Sequence, residues 1–500
     1  MQTVRALVDA QAAARPRAPY FVAAHTGQSL DFGALAQSCR NVGALLAARG
    51  LAPGAHVSLV MGNGLQTIRL LLGALYGGWC VNPVNLLAQA DQMRYVLDHS
   101  DAQLVCVAPD WEERVRALLA GIERRIDVLV VDPDAAALPG EIEVHTVPPT
   151  PRADALALLM YTSGTTGKPK GVMLTQANLA ANAQAISIEH RLGSDDRVAA
   201  VLPLYHINAF AVTMLAPLAH GGSLAMPPKF SAKAFWELVA AQRCTWINVV
   251  PTIISYLLEG ETPPRDVLAR VRFCRSASAA LPPEHHRAFE AKFGIGIIET
   301  MGLTETVAPA FSNPLEPTQR KVGSVGRASG CEARVVNAAA EAQADGTVGE
   351  VLIRGPQVMA GYYKNDEATA AAFHPGRWLR TGDLGYRDAD GFFFITGRIK
   401  ELIIKGGENI APREIDEALL KHPAVLDAAA VGIPDRHYGQ EIMACVIVRD
   451  GARCSEDELR DFCDRELGRY KTPKLIRFVA ELPRGPSGKV QRLKLLELLA

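Results

Sequence analysis

Short apolar runs alternate with helical patterns along the first half of the chain. Apolar runs predict strands at 57–61, 104–107, 128–131, 198–202, 245–250 and 271–275. Ala- and Leu-rich stretches predict helices at 32–49, 111–119 and 232–242. Strands that alternate with helices favour α/β layers with mostly parallel strands. The pattern therefore predicts a large α/β domain built of two similar halves.

The pattern changes in the second half. After about residue 322, Gly, Val and turn residues predict a smaller β-rich subdomain. The last hundred residues predict a compact α+β domain, with strands at 428–431 and 443–448 and helices at 412–421 and 456–467. We expect an N-terminal domain over 1–397, a hinge at 398–400 and a mobile C-terminal domain over 401–500.

Composition narrows the choice of partner and compartment. Lys and Arg (52) nearly balance Asp and Glu (53), so the formal net charge of −1 gives no sign of nucleic-acid or anionic-membrane binding. The nine cysteines are odd in number and lack a Cys-x-x-Cys pair, which favours reduced thiols. The N terminus lacks a signal-peptide core, and the apolar run 70–81 is shorter than the roughly 20 residues of a membrane span. We expect a cytoplasmic protein with small-molecule partners and an oligomeric state left open, a homo-oligomer included.

A loop rich in glycine, hydroxyl residues and lysine follows the apolar run 155–160. Glycines let backbone N–H groups approach an anion, while hydroxyls and lysines add donors and charge. The loop is not a Walker A motif, because only two residues separate Gly164 from Gly167. A flexible linker is the alternative from composition alone. The predicted phosphate-binding residues are Thr162, Ser163, Gly164, Thr165, Thr166, Gly167, Lys168 and Lys170.

Five ordered motifs resemble those of the adenylate-forming superfamily, which includes acyl-CoA synthetases, adenylation domains and firefly-type luciferases. The motifs are Tyr161-Thr-Ser-Gly-Thr-Thr-Gly-Lys-Pro-Lys-Gly171, Met301-Gly-Leu-Thr-Glu305, Arg380-Thr-Gly-Asp-Leu-Gly385, Gly397-Arg-Ile-Lys-Glu-Leu-Ile-Ile-Lys-Gly-Gly-Glu-Asn409 and Pro483-Arg-Gly-Pro-Ser-Gly-Lys489. The resemblance covers essentially the whole chain. It implies activation of an acid by ATP and Mg²⁺, followed by transfer to coenzyme A.

The resemblance assigns Met301, Gly302 and Leu303 to the nucleotide site. Met301 stands where the family usually has an aromatic residue, and its polarizable side chain can cover the adenine ring. Thr304 and Glu305 are implied as catalytic residues and as oxygen ligands of a phosphate-bound Mg²⁺. A helix-capping Thr-Glu pair is the structural alternative.

The resemblance also assigns two residues to the ribose end of ATP and one to catalysis. Asp383 is implied as the acceptor for the ribose hydroxyls, with Arg398 beside it at the ribose or phosphate. Lys489 is implied as the catalytic lysine that lowers the repulsion between the attacking carboxylate and the α-phosphate. Taken singly, these residues read as a turn former and two surface cations.

The remaining implied roles concern movement of the C-terminal domain. Lys400 matches the family's hinge position, and Gly406 and Gly407 match the segment that lines the pantetheine tunnel of CoA. In the family, rotation of the C-terminal domain exchanges the catalytic lysine for this glycine segment between two half-reactions. A surface charge and a hairpin turn are the alternatives.

The acid pocket is expected around His206, which resembles the family's gating histidine and is alternatively a core histidine. By resemblance the other walls are Ile207, Ala209, Phe210, Asn248, Ser276, Ala277, Ser278 and Ala279. These small and polar groups favour a short or compact acid over a long alkyl chain. Short stretches at 273–281 and 312–315 are similar to oxalate-CoA ligases, and others to 4-coumarate-CoA ligases. Arg275 or Ser278 would suit a second carboxylate, but a surface role for Arg275 leaves the dicarboxylate open.

The leading prediction is an ATP-dependent acid–CoA ligase that releases AMP and pyrophosphate. The alternative is a free-standing adenylation enzyme that loads an acyl or aminoacyl group onto a carrier protein. A luciferase-type oxygenase belongs to the same family and is less favoured. The presence of Thr304, Glu305, Asp383, Arg398 and Lys489 argues against an inactive nucleotide-binding protein.

Overall fold

The computed structural model describes residues 2–162, 168–484 and 490–499. The α-helices are α1 (Val4–Ala14), α2 (Phe32–Ala48), α3 (Leu65–Gly77), α4 (Ala90–His99), α5 (Glu112–Leu119), α6 (Gln176–Glu189), α7 (Ala216–His220), α8 (Phe235–Ala241), α9 (Pro251–Glu259), α10 (Arg265–Leu268), α11 (Pro283–Phe293), α12 (Asp366–Ala371), α13 (Pro412–Leu420) and α14 (Glu456–Leu467). A π-helix spans Ala209–Leu215, and short 3-10 helices include Thr304–Thr306, Ile399–Glu401 and Arg492–Leu499.

The strands are β1 (Pro19–Ala23), β2 (Ser29–Asp31), β3 (His56–Val60), β4 (Cys80–Pro83), β5 (Ala102–Val107), β6 (Asp127–Val130), β7 (Leu156–Thr162), β8 (Lys170–Thr175), β9 (Arg197–Ala199), β10 (Ser223–Met226), β11 (Trp246–Val249), β12 (Phe273–Ser276), β13 (Ile297–Leu303), β14 (Ala308–Ser312), β15 (Arg327–Ala328), β16 (Glu332–Val336), β17 (Gly349–Arg354), β18 (Gly361–Tyr362), β19 (Phe373–His374), β20 (Trp378–Arg387), β21 (Phe393–Arg398), β22 (Ile403–Lys405), β23 (Glu408–Ile410), β24 (Val425–Asp435), β25 (Gly439–Val448) and β26 (Leu475–Phe478).

Two mostly parallel sheets form the larger part of the chain. The first has the order β18-β8-β7-β4-β3-β5-β6, and the second the order β15-β14-β13-β12-β11-β9-β10-β1-β2. In both, the central parallel strands are apolar and buried, as expected where helices cover both faces of a sheet. The predicted pair of α/β halves is confirmed. The N-terminal strand β1 pairs with β10, so the start of the chain completes the second sheet.

The β-rich subdomain is the antiparallel sheet β16-β17-β20-β19, with β21 paired to β20. The C-terminal residues form a separate sheet, β23-β22-β25-β24, with β26 paired to β25 and helices α13 and α14 packed on it. Residues such as Ile403, Ile415, Ala444 and Leu459 form a hydrophobic core distinct from the main one. This confirms the predicted mixed α/β fold with a smaller α+β part.

Several predicted strands differ in length from those observed, and two of them show why. The strand predicted at 198–202 ends at Ala199 in β9, ahead of Pro203. The strand predicted at 428–431 extends over the whole of β24, because β25 pairs with it even at Gly432 and Pro434. Hairpin pairing therefore outweighs the poor strand propensity of these two residues.

All nine cysteines are free thiols, in agreement with the sequence prediction. None of the helices in the described ranges combines the length and apolar character needed to cross a bilayer.

Candidate active site

A cleft of about 910 Å³ opens between the N-terminal and C-terminal parts of the chain. Predicted site residues from several motifs line it: Ser276, Ser278, Ala279, Met301, Gly302, Leu303, Asp383 and Arg398. The C-terminal part contributes residues that include Asp416, Arg484, Gln491, Arg492 and Lys494. Motifs far apart in the sequence therefore share one space.

Asp383 and Arg398 face each other across the β20–β21 pair. Arg398 Nε donates to Asp383 Oδ1 at 2.8 Å, and the Asp383 side chain is 3% exposed. The neighbouring Asp383 charge raises the pKa of Arg398. Asp383 follows Gly382, whose φ of +69° falls where the pairing of β20 with β17 shifts register, and Asp383 lines the cleft. The arrangement presents an oriented carboxylate that can accept two hydroxyl protons from a diol.

Gly302 lies where only glycine fits. A Cβ at this position would lie 1.8 Å from the carbonyl oxygen of Ala308. The backbone is close because β13 and β14 pair with a bulge between Met301 and Gly302. Val307 and Ala308 then take positive φ angles of 56° and 73°, which non-glycine residues rarely adopt. The sharp turn between β13 and β14 carries Thr304 and Glu305.

Tyr362 holds the side chain of Glu305. Its hydroxyl donates to Glu305 Oε1 at 2.8 Å, and the backbone N–H of Met359 donates to the Glu305 carbonyl at 2.8 Å. Burial, together with the charge of Glu305, raises the pKa of Tyr362. The Lys170 ammonium lies 4.9 Å from the centre of the Tyr362 ring. One tyrosine therefore contacts both a predicted metal ligand and a predicted phosphate-binding lysine.

The predicted phosphate loop is described at its two ends. Thr162 ends β7 and pairs with Lys170 at the start of β8. Lys168 is exposed, with its ammonium 5.4 Å from the ring centre of Tyr95. Ser163, Gly164, Thr165, Thr166, Gly167 and the predicted catalytic Lys489 lie outside the described residues.

The predicted acid-pocket residues divide into two groups. Ser276, Ser278 and Ala279 line the cleft. The others are not among the described residues that line it: His206, Ile207, Ala209, Phe210, Asn248 and Ala277. His206 and Ile207 are half-buried, whereas Ala209 and Phe210 are fully buried in the π-helix. The part of the pocket that opens into the cleft is therefore made of small side chains.

A polar cluster lies beneath these small side chains. Arg275 Nη1 donates to Asn208 Oδ1 at 2.8 Å and to Asn248 Oδ1 at 2.7 Å. Asn208 Nδ2 in turn donates to Ser278 Oγ at 3.2 Å. The sequence predicted Asn248 and left Arg275 open, but it missed Asn208, which directly precedes an apolar run that gives no sign of a polar contact.

The predicted hinge and CoA residues lie apart from the cleft walls. Lys400 is exposed in the 3-10 helix that follows β21. Gly406 and Gly407, with φ of 56° and 88°, form the β22–β23 turn and are not among the described residues that line the cleft. A Cβ at Gly406 would lie 3.0 Å from the hydroxyl oxygen of Tyr470. Both glycines are therefore in conformations that favour glycine.

The C-terminal part docks on β21. Arg413 Nη1 donates to the carbonyl oxygen of Ile395 at 2.7 Å. Arg484 and Gln491, on either side of residues 485–489, both line the cleft. Arg492 forms ion pairs with Asp416 and Glu401 and donates to the Ala430 carbonyl at 2.9 Å. Residues on both sides of 485–489 in the sequence thus belong to the cleft wall.

Within the described ranges, no group of three or more His, Cys, Asp or Glu side chains is placed to hold a metal ion. A single carboxylate such as Glu305 fits a Mg²⁺ ion whose other ligands are phosphate oxygens and water.

Two family profiles match the chain: the AMP-binding enzyme profile over residues 8–363, and the profile of the AMP-binding enzyme C-terminal domain over residues 414–489. A sulfoacetate–CoA ligase of Cupriavidus necator is 60% identical over 500 residues, which cover 99% of this chain and 97% of the relative. An oxalate–CoA ligase of Arabidopsis thaliana is 36% identical, covering 90% of this chain and 89% of the relative.

The solved structure of ATP-bound MatB from Rhodopseudomonas palustris superimposes with a TM-score of 0.93 at 30% identity, covering 99% of both chains. The apo form of the same protein gives a TM-score of 0.81 over the same coverage. The chain as a whole is therefore more similar to the ATP-bound form than to the apo form.

These matches confirm the predicted enzyme class, an AMP-forming ligase that joins an acid to a thiol. Together with the ordered motifs and the shared cleft, they establish that the chain belongs to the AMP-binding enzyme family.

Proposed function

We propose that the protein is an ATP-dependent acid–CoA ligase for a short, compact carboxylic acid, with sulfoacetate as the first candidate. The observation that carries the proposal is the single cleft in which the Asp383–Arg398 pair, the Gly302 turn and the small residues Ser276, Ser278 and Ala279 meet. Such a cleft can place the α-phosphate of a nucleotide beside a small acid.

The nucleotide end suits ATP. Asp383 is oriented to accept from the two ribose hydroxyls. Met301 and Gly302 line the cleft, and the Met301 side chain is available to cover the ring of the base. Lys168 and Lys170 are proposed to meet the phosphates together with the loop between them, and Thr304 and Glu305 to hold the Mg²⁺ that accompanies ATP.

In the first half-reaction a carboxylate oxygen of the acid attacks the α-phosphorus, and pyrophosphate leaves. Lys489 is proposed to bridge the two anions and reduce their repulsion, because its flanking residues line this cleft. The acid is already ionised at neutral pH, so no general base is required.

In the second half-reaction the CoA sulfur attacks the acyl carbon of the adenylate, and AMP leaves as the thioester forms. Gly406 and Gly407 are proposed to line the thiol channel after a rotation about Lys400. Their lack of side chains leaves space for a narrow pantetheine arm. His206 is proposed to position the acid carboxylate.

The size of the acid follows from the pocket. A long alkyl chain needs a continuous apolar tunnel to recover hydrophobic energy. Here the small side chains Ser276 and Ser278 are backed by the polar cluster of Asn208, Asn248 and Arg275. The 60% identical relative is a sulfoacetate–CoA ligase, so sulfoacetate is the natural first substrate to test.

The test is mass-spectrometric detection of products from purified protein with ATP, Mg²⁺, CoA and one acid at a time. The panel contains sulfoacetate, oxalate, malonate, straight-chain acids from C2 to C16 and aryl acids. We expect sulfoacetyl-CoA and AMP as main products and little turnover of acids beyond C6. Preference for long-chain acids would contradict the proposal. An acyl-adenylate without a thioester would favour a carrier protein as the acceptor.

A further inference from the structure

Arg275 is a buried cation, one residue before the end of strand β12. Its side chain lies on β12 and the residue is 1% exposed. Nη1 serves two amide oxygens, those of Asn208 and Asn248, while Nε has no hydrogen-bond partner among the described residues. Amide dipoles thus solvate this guanidinium only in part.

Within the part of the chain that the structure describes, no negative charge offsets Arg275. Burial lowers its pKa to about 9, and no carboxylate of the described residues acts in the opposite direction. The guanidinium therefore stays charged at neutral pH. Its field also acts on His190, whose pKa falls to about 3 through burial and the nearby Arg275 charge, so that this histidine is neutral.

A buried charge without a counter-ion is costly for a folded protein. Most buried arginines are paired, as Arg69 is with Glu141 in this chain. The nearest strand carries Glu299, but its carboxylate is engaged by His286 at 3.1 Å. The charge of Arg275 is therefore available to an anion that enters from outside.

The polar cluster of Asn208, Asn248 and Arg275 is linked to the cleft wall by a hydrogen bond to Ser278. Asn208 Nδ2 donates to Ser278 Oγ at 3.2 Å, which leaves the Ser278 hydroxyl proton free to be donated to a ligand. Ser276 Oγ, in a residue 2% exposed, has no hydrogen-bond partner among the described residues and also belongs to the cleft wall. Two hydroxyl groups thus lie on the same wall, and the Asn208–Ser278 hydrogen bond links one of them to Arg275.

We propose that Arg275, acting through Asn208 and Ser278, makes the pocket selective for acids that carry a second anionic group, a sulfonate or a second carboxylate. The inference rests on the proposed function and names its substrate class. Arg275 is a positioning residue in this role, because Asn208 and Ser278 stand between it and the cleft.

The test compares two acids that differ in charge but hardly in shape. Sulfoacetate carries a sulfonate, whereas methylsulfonylacetate carries a neutral methyl sulfone on the same tetrahedral sulfur. For the unmodified enzyme we expect kcat/KM for sulfoacetate to exceed that for methylsulfonylacetate by about tenfold or more, as for a charge-assisted contact. Equal kcat/KM values for the two acids would overturn the inference.

Variants then separate selectivity from structure. Arg275→Met should bring the ratio of the two kcat/KM values close to one, and Arg275→Lys should retain most of it. Arg272→Met is the matched control, because Arg272 is near in sequence but is paired with Asp196 at 2.6 Å, and the ratio should not change. A uniform loss of activity in Arg275→Met with an unchanged ratio would mean that Arg275 has only a structural role, through its hydrogen bonds to Asn208 and Asn248.

The inference can still be tested if Arg275→Met does not fold or if the enzyme forms no CoA product. If Arg275→Met does not fold, competitive inhibition of the unmodified enzyme by methanesulfonate but not by dimethyl sulfone supports the inference, and equal inhibition overturns it. If no acid gives a CoA product, the proposed function fails. Calorimetric binding of sulfoacetate and methylsulfonylacetate then tests the selectivity by itself.

Discussion

The hydroxyl of Tyr362 donates to the carboxylate of Glu305 at 2.8 Å, although Tyr362 lies on the first sheet and Glu305 lies in the 3-10 helix that follows β13 of the second. The contact exists because β18 adds Tyr362 to the edge of the first sheet, beside β8, while Glu305 follows β13 of the second. The tyrosine therefore sets the orientation of a predicted Mg²⁺ ligand at the junction of the two halves.

Tyr362→Phe should weaken the use of Mg²⁺ while leaving the fold intact. The ring that Lys170 contacts is retained, and only the hydrogen bond to Glu305 is lost. We expect adenylate formation to fall about tenfold at low Mg²⁺ and to recover in part at high Mg²⁺. Pyrophosphate release measured across a Mg²⁺ titration checks this.

Tyr363→Phe is the matched control for that prediction. Tyr363 also donates to a carboxylate, Asp101 Oδ2 at 2.7 Å, and neither residue is a described lining residue of the cleft. Similar losses in the two variants, or a loss independent of Mg²⁺, would argue that Tyr362 has only a structural role.

Asp383→Asn should impair ATP binding more than acid binding. The amide keeps the shape of the side chain but loses the charge that pairs with Arg398, and it accepts hydroxyl protons less strongly. We expect kcat/KM for ATP to fall by about 10- to 100-fold, with a much smaller change in KM for the acid. Steady-state kinetics with each substrate varied in turn would measure this.

The control for Asp383 is Asp345→Asn. Asp345 also pairs with an arginine of β20, Arg387 at 2.7 Å, but both side chains are exposed. Its replacement should change kcat/KM for ATP by less than about twofold, since exposed ion pairs contribute little. If both variants lost activity equally, general damage to β20 would be the better explanation.

Gly302→Ala should destabilise the turn that carries Glu305. The added Cβ would lie 1.8 Å from the Ala308 carbonyl oxygen, so the backbone of β13 or β14 must move. We expect a cost of about 1–3 kcal/mol in the free energy of unfolding and a loss of adenylate formation. Gly193→Ala is the control, because a Cβ there meets no atom within 4 Å. Denaturant unfolding of both variants decides the point, and equal stability of the two would contradict the steric argument.

Lys489→Ala should separate the two half-reactions. We expect adenylate formation to fall by at least about 100-fold, because the variant lacks the cation proposed to stabilise the transferred charge. The thioester step from a supplied acyl-adenylate should be largely retained. Lys494→Ala is the control, since Lys494 also lines the cleft, and it should alter each step by less than about threefold. Equal loss of both steps in Lys489→Ala would exclude a role confined to the first step.

Local signals in the sequence are sufficient to predict the bounds of an element when residues next to its ends determine where it begins and ends. Helix α14 was predicted at 456–467 and spans Glu456–Leu467, because Ser455 caps it through the Glu458 N–H at 3.1 Å and Gly468 follows its last residue. The Asp383–Arg398 pair was likewise predictable, because each residue belongs to a recognisable motif.

Contacts between distant segments could not be predicted in this way. Tyr362 contacts Glu305 only because β18 adds to the edge of the first sheet, and nothing near residue 362 indicates that pairing. Asn208, the residue before the π-helix, contacts Arg275 on β12, whereas the apolar run that follows Asn208 predicts only burial. Both residues were missed for the same physical reason: their partners are set by tertiary packing and not by local sequence.

Arg413→Ala should shift the protein away from the arrangement in which residues flanking Lys489 line the cleft. Arg413 on α13 donates to the Ile395 carbonyl on β21 at 2.7 Å, and this bond joins the two parts of the chain. A two-state equilibrium responds to the loss of a contact made in only one state. We therefore expect adenylate formation to fall about three- to tenfold, with thioester formation from a supplied acyl-adenylate unchanged or faster.

Glu417→Gln is the control for Arg413, because it removes the ion pair within α13, 2.7 Å from Arg413 Nε, and leaves the bond to Ile395 in place. Its two half-reactions should both keep their rates within about twofold. Rapid-quench measurement of each half-reaction distinguishes the outcomes. If Arg413→Ala slowed both half-reactions to the same extent, the Arg413–Ile395 bond would not favour one domain arrangement over the other.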